Sequence, residues 1–238
     1  MREQLAGADE IERAIGRGDP IRLVLLQRDA TPAATELAVR LRDRGVRVID
    51  TSANDLRRMS RTPAPCEILA LCGPDPEAPL ADVLAHPGAA WLLAGVAYPG
   101  TAGYAIRTAE VSGAAAICID AALDPAGRRL ALRASMYADR FFPVRWIASE
   151  ATLAAAREAG RRVVAIEDSG SAAPWEIDLR GPLLFVIGGE TRGIAPDLIA
   201  RCDATLRIPM HGFIPAYNVQ AAMAIVAGER LRQAAERA

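Results

Sequence analysis

From Trp91 onward the chain alternates near-continuous apolar runs with helix-patterned segments, and this alternation limits its possible folds more than any other feature. "WLLAGVA" (91–97), "AAAICID" (114–120), "VRWIA" (144–148), "RVVAIED" (162–168), "LLFVIGG" (183–189) and "ATLRI" (204–208) read as strands. Helices fit 102–112, 126–138, 149–159 and 218–236. A strand that is apolar along its whole length is buried on both faces, and strands joined through helices run parallel. The expectation is therefore α/β, with a mostly parallel sheet covered by helices on both sides. An earlier alternation is shorter. "IRLVLLQRD" (21–29), "VRVIDTS" (46–52) and "CEILALCG" (66–73) read as strands, with helices over 32–45 and 53–61 between them. That pattern predicts a small α/β layer. Separating the two, "GPDPEAPLADVLAHPG" (73–88) carries four prolines in sixteen residues and reads as a connection with room for one short helix. The predicted organisation is a small α/β domain over 1–75, a linker over 76–89 and a larger domain over 90–238.

Composition removes several classes. Cys66, Cys72, Cys118 and Cys202 have no CxxC spacing, and His86 and His211 are the only histidines, so no metal site is expected. No apolar run reaches membrane-spanning length, and "MREQLAGADEIERAIG" mixes acids and bases unlike a secretory signal. No membrane association and a cytoplasmic location are expected. With a net charge of −1, any nucleic-acid binding has to come from a local patch. All 28 basic side chains are arginine, so each cation can grip a phosphate in a bidentate fork.

In such sheets ligands bind outside the carboxyl ends of the strands. Three of those ends are unusual. "YPGTAGYAIRTAEVSGA" (98–114) enters a helix carrying Arg107, and "GGETRGIAPDL" (188–198) leaves its strand with a glycine pair, Glu190 and Arg192. "IPMHGFIPAYN" (208–218) passes two prolines before Asn218, which reads as the N-cap of the terminal helix. Read singly, the glycines supply turns, Arg107 pairs with a surface acid and Asn218 only caps. The chain has no GxxxxGK[ST], no GxGxxG after its first strand and no GxSxG, which removes the familiar nucleotide loops and a serine hydrolase.

Taken in order, "PGTAGYAIRTA", "FVIGGETRGIAPDLIARCD" and "IPMHGFIPAYNVQAA" resemble the three motifs of the SpoU (TrmH) class of SPOUT RNA 2′-O-ribose methyltransferases, over about residues 90–238. The first unit is similar to the small ribosomal-protein-like α/β domains that bind the RNA substrate in many such enzymes. The resemblance implies a trefoil knot over about 183–238, whose loops hold S-adenosylmethionine largely through backbone groups. Cofactor contacts then fall on Gly188, Gly189, Ile208, Met210 and Tyr217, and the substitution Gly188→Val is expected to enter the ligand's space without disturbing the fold. The implied catalytic residues are Arg107, Glu190 and Asn218. Two positions depart from the family pattern: Thr101 stands for a motif-one asparagine and Ala216 for a motif-three serine. A non-catalytic RNA- or cofactor-binding relative is therefore the alternative reading.

A guanidinium stays protonated, so Arg107 suits gripping a phosphate and stabilising a developing alkoxide better than acting as base. Glu190 would hold Arg107 or nearby loop groups. His211 reads as a solvated loop histidine, with proton acceptance as its alternative. For the RNA, Arg128, Arg129, Arg133, Arg140 and Arg145 make 124–146 a basic island, with Tyr137, Phe141 and Phe142 as stacking candidates, or else a solvated helix face with core aromatics. Seven more arginines cluster in the first unit, from Arg40 to Arg61. The resemblance also implies a homodimer, with Val219, Ala222, Met223 and Val226 as the stripe that faces the partner.

Overall fold

The computed structural model describes residues 3–236, so the outermost ends of both expected domains, 1–2 and 237–238, lie outside the described residues. The chain forms two compact units, one ending at Pro76 and the other starting at Glu77.

The first unit runs β1 (Glu3–Ala6), α1 (Ala8–Arg17), β2 (Ile21–Gln27), α2 (Pro32–Asp43), β3 (Arg47–Thr51), α3 (Ala53–Met59) and β4 (Ile68–Cys72). Its sheet order is β1-β4-β2-β3. Only β2 and β3 pair in parallel, while β4 runs antiparallel to both β1 and β2. The parallel pair is joined by the twelve-residue crossover helix α2. Helix α3 has seven residues, about 10 Å of rise, and is followed by the proline-bearing loop before β4. β1 and α1 are additions to the predicted elements. Leu5 and Ile11 from them are fully buried beside Val24, Leu37 and Ile68.

The second unit begins with α4 (Leu80–Ala85), then β5 (Ala90–Ala94), α5 (Pro99–Val111), β6 (Ile117–Asp120), α6 (Pro125–Ala134) and β7 (Val144–Trp146). It continues through α7 (Ser149–Glu158), β8 (Arg162–Ile166), β9 (Leu183–Gly188), α8 (Pro196–Ile199), β10 (Ala204–Leu206) and α9 (Val219–Ala235). The order is β10-β8-β9-β5-β6-β7, and every pairing in it is parallel. Each strand's alternate residues enter different cores. Trp91, Leu93, Phe185 and Ile187 pack under α5, α6 and α9, while Leu92, Ala94, Leu184 and Val186 pack under α4, α7 and α8. This double burial is why the strands read as continuous apolar runs. At the centre the Trp91 and Phe185 rings stack with centroids 4.8 Å apart. Helices α5 and α6 cross closely at Gly103, where a Cβ would come within 2.5 Å of the Ala131 carbonyl oxygen.

The segment 76–89, expected as a linker, belongs to this unit from Glu77 on. Val83 and Leu84 of α4 are buried, and Arg161 is what holds the segment down. Arg161 is 3% exposed and donates to four backbone carbonyls: Leu84 and His86 at 2.7 Å, Gly88 at 2.7 Å and Leu183 at 3.0 Å. Burial pushes its guanidinium pKa down, and Arg230 adds to the shift by like-charge repulsion. No described helix is long and apolar enough to cross a membrane.

Candidate active site at the carboxyl edge of the parallel sheet

Because all six strands of the second sheet are parallel, their carboxyl ends share one edge. At that edge a cleft of about 590 Å³, within the usual range of small-molecule sites, opens beyond β8 and β9. Its walls come from three stretches: Ile166–Asp168, Ile187–Gly193 with the exception of residue 191, and, from the last loop and the start of α9, Ile208, Met210, residues 215–219 and Ala222. Of the residues expected at a cofactor site, Gly188, Gly189, Ile208, Met210 and Tyr217 all line this cleft, together with Glu190, Asn218 and Ala216.

Besides lining the cleft, the two glycines are packed against the protein's own backbone. A Cβ on Gly188 would lie 2.5 Å from the Gly193 carbonyl oxygen and closer still to the Ile194 nitrogen. A Cβ on Gly189 would lie 2.6 Å from the Gly95 carbonyl carbon and 2.8 Å from Val96 Cα. The space a side chain would fill is thus occupied by the protein's own backbone. The expectation that Gly188→Val would block the ligand and spare the fold is corrected: the added carbons would force the 189–193 turn open. That turn is tight. The Gly193 N–H donates to the Gly189 carbonyl at 3.1 Å, and Gly193 has φ +63°, a conformation that favours glycine.

Glu190 reaches back to the loop after β5, where its Oε2 accepts from the Ala97 N–H at 3.3 Å. Of its two expected partners, Arg107 or loop groups, the structure brings it a loop group. Asn218 is the helix cap it was read as, with Oδ1 accepting from the Ala221 N–H at 3.0 Å, and it sits in the cleft wall as well. His211 is exposed in the same loop, as are Phe213 and Ile214.

Arg107 is not in this cleft. It is exposed on α5 and lines a second groove, about 620 Å³, between α5 and α9. Tyr104, Val111, Ala224, Gly228 and Leu231 share that groove, and Tyr104, Val111 and Leu231 are each about half or more exposed. The stripe expected to face a partner is corrected here too. Val219, Ala222, Met223 and Val226 are buried against their own sheet, because an amphipathic helix spends its apolar stripe on the nearest core. The outward face of α9 is instead Gln220, Ala224, Gly228 and Leu231.

The basic island does not form one patch. Helix α6 runs from the carboxyl end of β6 back to the start of β7, about 15 Å, so its two ends lie at opposite edges of the sheet. Arg128 and Arg129 are exposed near the cleft edge. The Arg128 guanidinium lies 5.1 Å from the Trp146 ring centroid, and its Nε donates to the Leu123 carbonyl. Arg133 is exposed in the last turn, and Arg140 stacks on Tyr137 at 4.3 Å beyond it. Phe142 is fully buried and Phe141 packs on the core, which leaves Tyr137 as the exposed aromatic of the three.

Two contributors were missed in the sequence. Asp203, at the end of the second motif, accepts from the Val163 N–H at 2.6 Å and docks β10 beside β8. Glu167 stands at the end of β8 in the cleft wall. An acid directly after the apolar run "VVAI" was the signal for it.

Known proteins share these elements. An uncharacterized tRNA/rRNA methyltransferase of Mycolicibacterium smegmatis is 27% identical over 251 aligned residues, covering 97% of this chain and 80% of that protein. The 23S rRNA (guanosine-2'-O-)-methyltransferase RlmB of Pseudomonas syringae pv. tomato is 31% identical over 147, covering 60% of this chain and 57% of the relative. In three dimensions, an AdoMet-bound rRNA methyltransferase from Sinorhizobium meliloti superposes with a TM-score of 0.62 at 25% identity, covering 97% of this chain and 87% of that one. The model of the SpoU rRNA Methylase family matches residues 90–228, more than half of the chain and all of the cleft, so this chain belongs to that family.

Proposed function

We propose that this chain is an S-adenosylmethionine-dependent RNA methyltransferase that methylates a ribose 2′-hydroxyl of ribosomal or transfer RNA, acting as a cytoplasmic homodimer. The observation that carries this reading is the cleft beyond β8 and β9, which lies wholly within the family match. The residues fit the cofactor. Ile166, Ile187, Ile208 and Met210 offer a dry slot for an adenine, while Glu167, Asp168 and Glu190 against Arg192 leave the cleft net negative, which suits a sulfonium. When bound, the cofactor supplies an electrophilic methyl carbon for in-line displacement.

The protein's part is alignment and charge. Gly188, Gly189 and the 208–217 loop hold the cofactor through backbone groups. Glu190, by holding Ala97, fixes the motif-one loop over the strand ends. Asn218 anchors the end of the 208–217 loop through its cap and lends the cleft a side-chain amide. Arg107 grips a phosphate next to the target ribose and stabilises the alkoxide that develops as the 2′-hydroxyl proton passes to water. Since Arg107 lines the α5–α9 groove, it serves the cleft of a second copy, docked through the half-exposed Tyr104, Val111 and Leu231. RNA then runs along the strand-end edge past Arg128 and Arg129. The first unit presents a further phosphate-binding surface, with Arg40, Arg42, Arg44, Arg47, Arg57, Arg58 and Arg61 all exposed. In this reading the chain from residue 183 through α9 threads as a trefoil knot, an exception to the usual unknotted chain.

Incubation with methyl-labelled S-adenosylmethionine and total RNA from a strain lacking the gene tests this. Label recovered as a 2′-O-methylnucleoside after digestion supports it, and label on a base, or none in any RNA, refutes it.

A further inference from the structure

We propose that Glu167 selects the ribose of the cofactor, its carboxylate accepting hydrogen bonds from the vicinal hydroxyls. This rests on the reading of the cleft as an S-adenosylmethionine site. Glu167 follows β8 directly and lines the cleft between Ile166 and Asp168, beside the strand that ends in Gly188. Both its oxygens are tethered by backbone: Oε2 accepts from the Ile194 N–H at 3.1 Å and Oε1 from the Asp168 N–H at 3.2 Å. Gly193 is pressed so near that a Cβ there would stand 3.0 Å from Oε2. The side chain is therefore fixed in one orientation before any ligand arrives, which lowers the entropy lost on binding.

An ionised carboxylate only accepts, and two oxygens offer about four lone-pair sites, so two backbone bonds leave capacity at both. What it takes must be a donor. The cofactor has two kinds within reach of such a group, the ribose diol and the ammonium of the amino-acid tail. Glu167 adjoins the apolar wall of Ile166 and Ile187, where the nucleoside end belongs, and its two oxygens match two adjacent hydroxyls. Strand-end carboxylates hold ribose hydroxyls by the same logic in other parallel α/β sheets.

Calorimetric titration of wild type and Glu167→Ala with three ligands tests the assignment: S-adenosylhomocysteine, 5′-methylthioadenosine and the 2′,3′-dideoxy form of methylthioadenosine. Hydrogen bonds to a charged group predict that the variant binds the first two roughly tenfold to a hundredfold more weakly, with no change for the dideoxy ligand. Glu167→Gln, which keeps one carbonyl oxygen, should fall between. A loss confined to S-adenosylhomocysteine would assign Glu167 to the ammonium and overturn the proposal. Equal losses for all three ligands would reduce it to a packing residue of the 193–194 turn and overturn it as well. Wild type that binds none of the three would instead bring down the cofactor reading on which the proposal stands.

Discussion

Arg161→Met offers a sharp test of how the cleft's sheet is held together. The four carbonyls that Arg161 satisfies belong to the end of α4, the turn before β5 and the start of β9, so one side chain ties three segments to the amino edge of the sheet. Methionine matches much of the volume and donates nothing. Each charge-assisted bond is worth about 1.5–3 kcal/mol in mutational terms, but removing the guanidinium also removes its own desolvation cost. Each carbonyl left unpaired costs about 1–3 kcal/mol, and with the guanidinium's own desolvation cost removed the net loss expected is about 3–5 kcal/mol. For a unit of this size each kcal/mol moves the melting midpoint by about 2–4 °C, so a drop on the order of 10 °C follows. The assay is selective. Trp91, Trp146 and Trp175 all lie in the second unit, so tryptophan fluorescence during urea or thermal unfolding reports on that unit alone. Arg161→Lys should recover less than half of the loss, because three donors on one nitrogen cannot span four carbonyls. Stability of Arg161→Met within about 1 kcal/mol of wild type would refute the anchoring role.

Two further outcomes follow from the same geometry. If the proposed dimer forms through the α5–α9 groove, Val111→Arg with Leu231→Arg should leave a monomer in sedimentation and abolish methyl transfer while cofactor affinity holds; a wild type that sediments as a monomer at all concentrations would contradict the shared site. Burial pushes the Cys118 thiol up to about 11 from 9.0, so the neutral form is the one the fold favours. Its contribution to stability is full below about 9 and lost as pH rises through about 11, and unfolding at a series of pH values with Cys118→Ala checks this: stability lost equally in wild type and variant over that window would remove the thiol from the account.

What was legible in the sequence was what one strand or helix decides for itself. All six strands of the second unit and its longer helices stand where apolar periodicity places them, because strands buried on both faces cannot hide their pattern. Elements fixed from a distance were not legible. Helix α4 lies in a proline-rich stretch that reads as a linker, and its hold comes from Arg161, more than seventy residues on. β1 is four residues at a sheet edge, too short for periodicity to register. On α9 the pattern told which face is apolar but not what covers it, so the stripe Val219–Val226 was assigned to a partner when its own sheet takes it. The glycines at 188 and 189 were recognisable as necessary. That the 193–194 and 95–96 backbones fill their space is a tertiary fact that no local window contains. Of the three residues the motifs group together, Glu190 and Asn218 meet in one cleft because neighbouring loops carry them, whereas Arg107 sits on another face.

In the proposed mechanism Arg107 supplies transition-state stabilisation to a cleft that binds the cofactor without it. Single-turnover transfer of labelled methyl to RNA, measured for wild type and Arg107→Ala beside calorimetric cofactor affinity, separates these two roles. Losing one preorganised donor of this kind costs about 3 kcal/mol, so the variant should transfer at least about a hundredfold more slowly with its cofactor affinity unchanged. Transfer by Arg107→Ala at the wild-type rate would contradict the account.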